Sequence, residues 1–347
     1  MRKSLSAFIR QQGAPEIHQD RINWHSLNAL VRSRHLEGIF SSMFTPGEMP
    51  SSLTGEWFGA RMQYLAQGTL KLKVATRIFG WLEAAGIPAV AMRGLSLAQR
   101  IYADISFRPM HDIDLLVRPA DCERLFAVMR EAGFEPVNFF RSQYVYRIEG
   151  ITVEIHWSLL TNKRYREKIC ADEFVQARLP HETPEGLIFR LPDDKEIIGL
   201  ITHAFIHHEL DEIQALVDIG YFLRRQDLDW ESVVSFCRKA RLSKMAHFTL
   251  AFIAGFFELD RDDILKKFNL PPVPEKMLQT FENKLFSGIS LIDYLQTKRA
   301  LFYVAEDLPV ILREMLRLFS KRNIVVFADL LKKTVFKRFK TLPVRLK

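Results

Sequence analysis

Residues Phe107–Val117 read F-R-P-M-H-D-I-D-L-L-V. The apolar run around Ile113, Leu115, Leu116 and Val117 marks a short buried strand, read here as Met110–Val117. Side chains alternate along a strand, so Asp112 and Asp114 share one face while Ile113 and Leu115 take the other. An acid in such a strand is costly unless its charge is compensated. Two acids on one face can draw that compensation from a divalent cation; the plainer alternative is a pair of solvated acids at a strand end.

Working outward, Leu70–Ala85 has helical spacing and stops at Gly86. I-P-A-V-A-M (87–92) reads as a buried strand. Arg93-Gly94-Leu95-Ser96 follows, with Ser96 opening a helix over 97–102. Free backbone N–H groups at such a junction can hold phosphate, and Gly94 permits close approach; an ordinary turn glycine is the alternative. Downstream, Pro119-Ala120-Asp121 begins an amphipathic helix that Gly133 closes. Gln143–Ile148 and Thr152–Trp157 read as strands joined at Glu149-Gly150, a hairpin turn. In V-E-I-H-W (153–157), Glu154 shares a face with His156. If this strand lies beside the aspartate strand, Asp112, Asp114 and Glu154 converge. Such an oxygen-donor set suits one or two Mg²⁺ ions, and two such ions can clamp an in-line phosphoryl displacement. The element order predicts an α+β fold: a small mixed β-sheet with helices on one side.

The succession R-G-L-S-L-A, R-P-M-H-D-I-D-L-L-V-R-P, V-E-I-H-W resembles the nucleotidyltransferases of the DNA-polymerase-β-like superfamily. More narrowly, it is similar to an uncharacterised bacterial nucleotidyltransferase family with the pattern K-G-x-x-L…R-P-M-G-D-I-D-L-L-V…V-E-L-H-W. The likeness covers residues 70–160 and continues more faintly through L-V-D-I-G (216–220) and L-D-W (228–230). It implies Asp112 and Asp114 as metal ligands, Glu154 as the third carboxylate, and Gly94 with Ser96 as the phosphate loop. It further implies an NTP, an acceptor hydroxyl and Mg²⁺, as two ions, with Mn²⁺ as a substitute. Three departures bear on triphosphate binding. Arg93 replaces the usual Lys, keeping the charge but changing donor geometry; His111 replaces a Gly; and the loop is Gly-Leu-Ser rather than Gly-Ser.

Three regions are expected: a helical N-terminal region (1–69), the nucleotidyltransferase core (70–160), and a largely α-helical C-terminal domain with a basic tail (161–347). Arg93 and Arg108 are candidate nucleotide contacts, with surface ion pairing as the alternative. His156, and His203 with His207 one turn apart in H-A-F-I-H-H-E, are candidate cleft residues; the H-E-x-x-H order of a zinc protease is absent. Asp218, in an apolar helix, reads as a buried hydrogen-bonding residue. With 347 residues, 48% hydrophobic and 26% charged, the chain has an ordinary globular composition. Its net charge of +8 suits a polyanionic ligand. Three scattered cysteines, a short N-terminal apolar run and the lack of a spanning segment lead to the expectation of a cytoplasmic protein. The acid-free segment 331–347, with Val335, Phe336 and Phe339 among its lysines and arginines, reads as a solvated basic tail; contact with an anionic membrane or nucleic acid is the other reading. No RNA-binding module is visible. The competing function is a catalytically silent nucleotide- or partner-binding accessory protein in a peptide- or polysaccharide-modification pathway. The acceptor is not readable from the residues.

Overall fold

The computed structural model describes residues 2–10, 22–44, 46–140, 142–160, 165–225, 227–287, 291–306 and 323–330. Seven strands lie among them: β1 (Ala89–Met92), β2 (Asp112–Val117), β3 (Asn138–Phe140), β4 (Gln143–Ile148), β5 (Ile151–His156), β6 (Leu179–Thr183) and β7 (Gly186–Arg190). They form one mixed sheet in the order β3-β4-β5-β2-β1-β7-β6. β2 sits at its centre, antiparallel to β1 and parallel to β5. β4 and β5 make the expected hairpin. Its turn residues Glu149 and Gly150 both have positive φ, 50° and 79°, the twist-compatible geometry of a two-residue turn.

The alternation of β2 decides where the site lies. Ile113, Leu115 and Val117 pack with Val153 and Ile155 against the helices Ser51–Ala84 and Cys122–Glu131. Full burial of each such side chain contributes about 1.5–3 kcal/mol. The opposite face carries Asp112, Asp114 and Leu116, and Leu116 packs toward the helical second half. The acids therefore face the junction between sheet and helices. The sheet is covered on both faces, not on one as the element order suggested.

Other differences have local causes. Helix Ser51–Ala84 is continuous and runs across the 69/70 boundary. Gly55 and Gly59 disguise it, since a helical glycine costs about 1 kcal/mol against alanine, while buried Leu53 and Trp57 hold the segment helical. The hairpin β6–β7 lies beyond Leu160, in a stretch read as helical. β6 is a largely exposed edge strand containing Pro180, so it lacks the apolar alternation that marks a buried one. The helix after β1 begins at Arg93 and ends at Leu97, so Ser96 lies inside it instead of opening it.

The second half is helical as expected, with Asp193–Ile206, Ile213–Arg224, Trp230–Lys239, Ser243–Phe257, Glu275–Ser287 and Leu291–Tyr303. The spacing of 308–319 also predicts a helix; that segment and the basic tail 331–347 fall outside the described residues. Among the described residues no helix is long and apolar enough to cross a membrane.

Candidate active site

In the parallel register of β2 and β5, Asp114 lies opposite Glu154 and Asp112 opposite Thr152. The three acids expected to converge all line one cleft of about 300 Å³, together with Arg93, Gly94 and His156. Donor atoms of Asp114, Glu154 and His156 lie within 4.8 Å of one another, and Asp112 stands one strand step away on the same face. His156 Nε2 is 3.0 Å from Asp114 Oδ1 and 3.4 Å from Glu154 Oε2. The Gln143 amide donates to Glu154 Oε2 at 2.8 Å.

Burial and the charge of Asp114 push the Asp112 carboxyl up to about 6. Burial raises Asp114 too, but the Arg93 charge and the His156 hydrogen bond outweigh it and hold that carboxyl well below the usual range. Burial lowers His156, yet its hydrogen bonds to Asp114 and Glu154 reverse the direction and favour the imidazolium. The face is thus rich in negative charge and only partly neutralised.

Arg93 follows β1 directly and adopts φ 55°, a left-handed conformation that costs a non-glycine residue about 1–2 kcal/mol and clusters at functional sites. Its guanidinium donates through Nε to Asp114 Oδ2 at 2.9 Å and through Nη2 to Asp114 Oδ1. Nη1 reaches His203 Nδ1 at 2.8 Å. The strained turn is held from the helical half: Glu196, buried on helix Asp193–Ile206, accepts from the Arg93 backbone N–H at 3.3 Å and from Ser96 Oγ at 2.5 Å. The Ser96 hydroxyl is therefore committed to Glu196, and Ser96 does not line the cleft. Gly94 does line it, and a Cβ there would meet Met110 Cγ at 2.8 Å. A close approach of Met110, not a special φ, demands that glycine.

The helical half supplies the facing wall. Arg108 lines the cleft, with its guanidinium forked onto Asp218: Nε to Oδ1 at 3.0 Å and Nη2 to Oδ2 at 2.9 Å. Tyr102 donates its hydroxyl to the same carboxylate at 2.5 Å, and Asp218 is fully buried. His203 and His207 both reach the cleft and stack at 5.0 Å between ring centroids. Burial, then the Arg93 charge, pushes both imidazoles down, His207 to about 4 and His203 well below its ordinary value. A second cavity of about 350 Å³ adjoins, sharing Arg108, His111, His207, His208 and Glu212 with the first. The sequence reading missed Glu196, Gln143, His208 and Glu212. The doubled histidine at 207–208 is the one local signal the sequence offers for this wall.

A family model described as "uncharacterised nucleotidyltransferase" matches residues 20–258, well over half of the chain. The chain belongs to this nucleotidyltransferase family and is a transferase. Two solved structures are similar in part. A nucleotidyltransferase-like antigenic protein of Paracoccidioides brasiliensis is 16% identical with a TM-score of 0.37, over 57% of this chain and 93% of that one. The antibiotic-resistance factor ANT(2'')-Ia is 16% identical with a TM-score of 0.31, over 58% and 98%. Among curated proteins none matches.

Proposed function

We propose that the chain is a divalent-cation-dependent nucleotidyltransferase that moves a nucleoside monophosphate from an NTP to an acceptor hydroxyl. The observation that carries this reading is the surplus of negative charge on one face of the sheet, across β2 and β5. Asp112, Asp114 and Glu154 open on a single cleft, and burial, then the Asp114 charge, raises the Asp112 carboxyl to about 6. The donors are hard oxygens, which fit Mg²⁺ or Mn²⁺; Asp112 and Asp114 would hold the ions, with Glu154 as the third carboxylate. Such ions, when bound, neutralise the charge that builds on phosphoryl and leaving-group oxygens.

The remaining work falls to the chain's own residues. The triphosphate lies along the Arg93–Gly94 turn, where the Arg93 guanidinium supplies positive charge at the cleft wall. The acceptor oxygen bonds to the α-phosphorus as the α–β bridging P–O bond breaks, and pyrophosphate leaves. One of the acids takes the hydroxyl proton. The adjoining cavity receives the acceptor. Three free cysteines and the need for NTP suit a cytoplasmic setting. With α-labelled NTP, Mg²⁺ and a small-molecule extract as acceptor source, label transfer with pyrophosphate release is expected. Equal transfer by Asp112→Asn/Asp114→Asn would sink the assignment.

One observation favours a binding protein without turnover: the Ser96 hydroxyl is spent on Glu196, so it offers nothing to a phosphate. Calorimetry that finds Mg²⁺–NTP binding, in preparations that never form pyrophosphate, would decide for that reading.

A further inference from the structure

We propose that His203, His208 and Glu212 form a binding site for a divalent transition cation of the Zn²⁺ type, on the cleft wall facing the strand carboxylates. The chain makes the site by reversing direction. Helix Asp193–Ile206 ends, Glu209 and Leu210 take left-handed φ of 47° and 58°, and Glu212 then precedes helix Ile213–Arg224. The reversal brings His208 Nε2 to 2.9 Å from His203 Nε2 and to 2.9 Å from Glu212 Oε2. All three donor atoms lie within 4.8 Å of one another. Two imidazole nitrogens and one carboxylate are a zinc donor set that leaves a further position open. Both cavities border it, since His208 and Glu212 line each of them.

Protons alone do not satisfy this cluster. One nitrogen, His208 Nε2, faces both partners and carries at most one proton. If it is bare, it accepts from His203 Nε2–H but sets its lone pair against the Glu212 carboxylate. If it is protonated, it serves Glu212 and His203 Nε2, and the His203 proton moves to Nδ1, against the donor-only Arg93 Nη1. Every arrangement with neutral His203 and ionised Glu212 leaves one contact of like on like. A cation accepts a lone pair from all three atoms. It also fixes the His203 proton on Nδ1, against Arg93 Nη1 as in the second arrangement, so Arg93 gives up that contact in either case while keeping Asp114 through Nε and Nη2. What the cation adds is a direct bond to all three donors. Imidazole ligands select transition cations over the hard ions that an all-oxygen set takes. The site stands whether or not the carboxylates carry out transfer.

The test uses untagged full-length protein, stripped with a chelator and titrated with Co²⁺ in excess Mg²⁺, followed by visible absorption. Saturable binding of one Co²⁺ per chain is expected, with ligand-field bands that Zn²⁺ displaces. His208→Ala and Glu212→Gln are expected to weaken it at least about tenfold, while Asp114→Asn binds as wild type does. The His208 and Glu212 side chains are 35% and 38% exposed, so both variants leave the core intact, which melting curves check. Absence of saturable binding, bands unchanged in His208→Ala and Glu212→Gln, or bands lost in Asp114→Asn would each overturn the proposal; the last would put the cation at the strand carboxylates.

Discussion

Asp218 and Asp112 are both acids on elements packed into the interior, and their surroundings differ in kind. Asp218 is filled: the Arg108 fork and the Tyr102 hydroxyl occupy its oxygens. Glu196 is filled in the same way by Ser96, the Arg93 backbone and Arg100. On the strand side, Asp112, Asp114 and Glu154 share Arg93 and His156 as nearby cations, and Asp112 is left with its carboxyl pushed up to about 6. Filled acids join the two halves of the molecule. Asp114 is held by the Arg93 fork and His156, so the charge left for a bound cation to fill rests chiefly on Asp112, and under the proposed function that is what sets it apart from a structural carboxylate.

The comparison breaks most plainly by activity. Asp112→Asn/Asp114→Asn is expected to lower nucleotidyl transfer by about three orders of magnitude, since removing a cation clamp forfeits several kcal/mol of barrier lowering; initial rates of α-label transfer, normalised to folded protein, measure it. Asp218→Ala acts on the other side. It strands the Arg108 charge in the interior and is expected to cost about 3–5 kcal/mol of stability, read as a lower urea midpoint. Next comes Ser96→Ala, which removes a hydrogen bond to a buried carboxylate and costs about 1.5–3 kcal/mol. An unchanged KM for NTP in that variant would mark Ser96 as a positioning residue; a large rise would return it to the phosphate site.

The smallest effect is a pH dependence. The folded Asp112 carboxyl titrates at about 6, above its ordinary 3.8, so the fold holds that proton more tightly than the unfolded chain does. Stability of chelated protein therefore falls as pH rises from about 4 to about 6, and the deficit persists above that window. Asp112→Asn is expected to remove this contribution, and Mg²⁺ to offset it in the wild type but not in the variant. Melting curves across that pH range, with and without Mg²⁺, check both.

What the sequence made legible was whatever rests on short-range alternation. The strand around Asp112, the hairpin at Glu149-Gly150 and the shared face of Glu154 and His156 all follow from period-two patterning within a few residues. What stayed hidden depends on contacts across the fold. Glu196 is a hundred residues from Ser96, and nothing local marks it as the anchor of the Arg93 turn. The reversal at Glu209-Leu210 uses left-handed residues that are not glycine, so no turn signal announced that His208 would fold back onto His203. β6 is an exposed edge, and edges carry little apolar pattern. Gly94 was legible as a required glycine but not for its reason, because the Met110 side chain that crowds it arrives from the segment just before β2.

The most direct test of the central claim is anomalous scattering from a crystal grown with Mn²⁺ and a non-hydrolysable NTP. The account predicts manganese peaks in contact with the Asp112 and Asp114 carboxylates, with the triphosphate along Arg93 and Gly94. Manganese and nucleotide bound away from this strand face, or an NTP seated without metal there at saturating Mn²⁺, would contradict it.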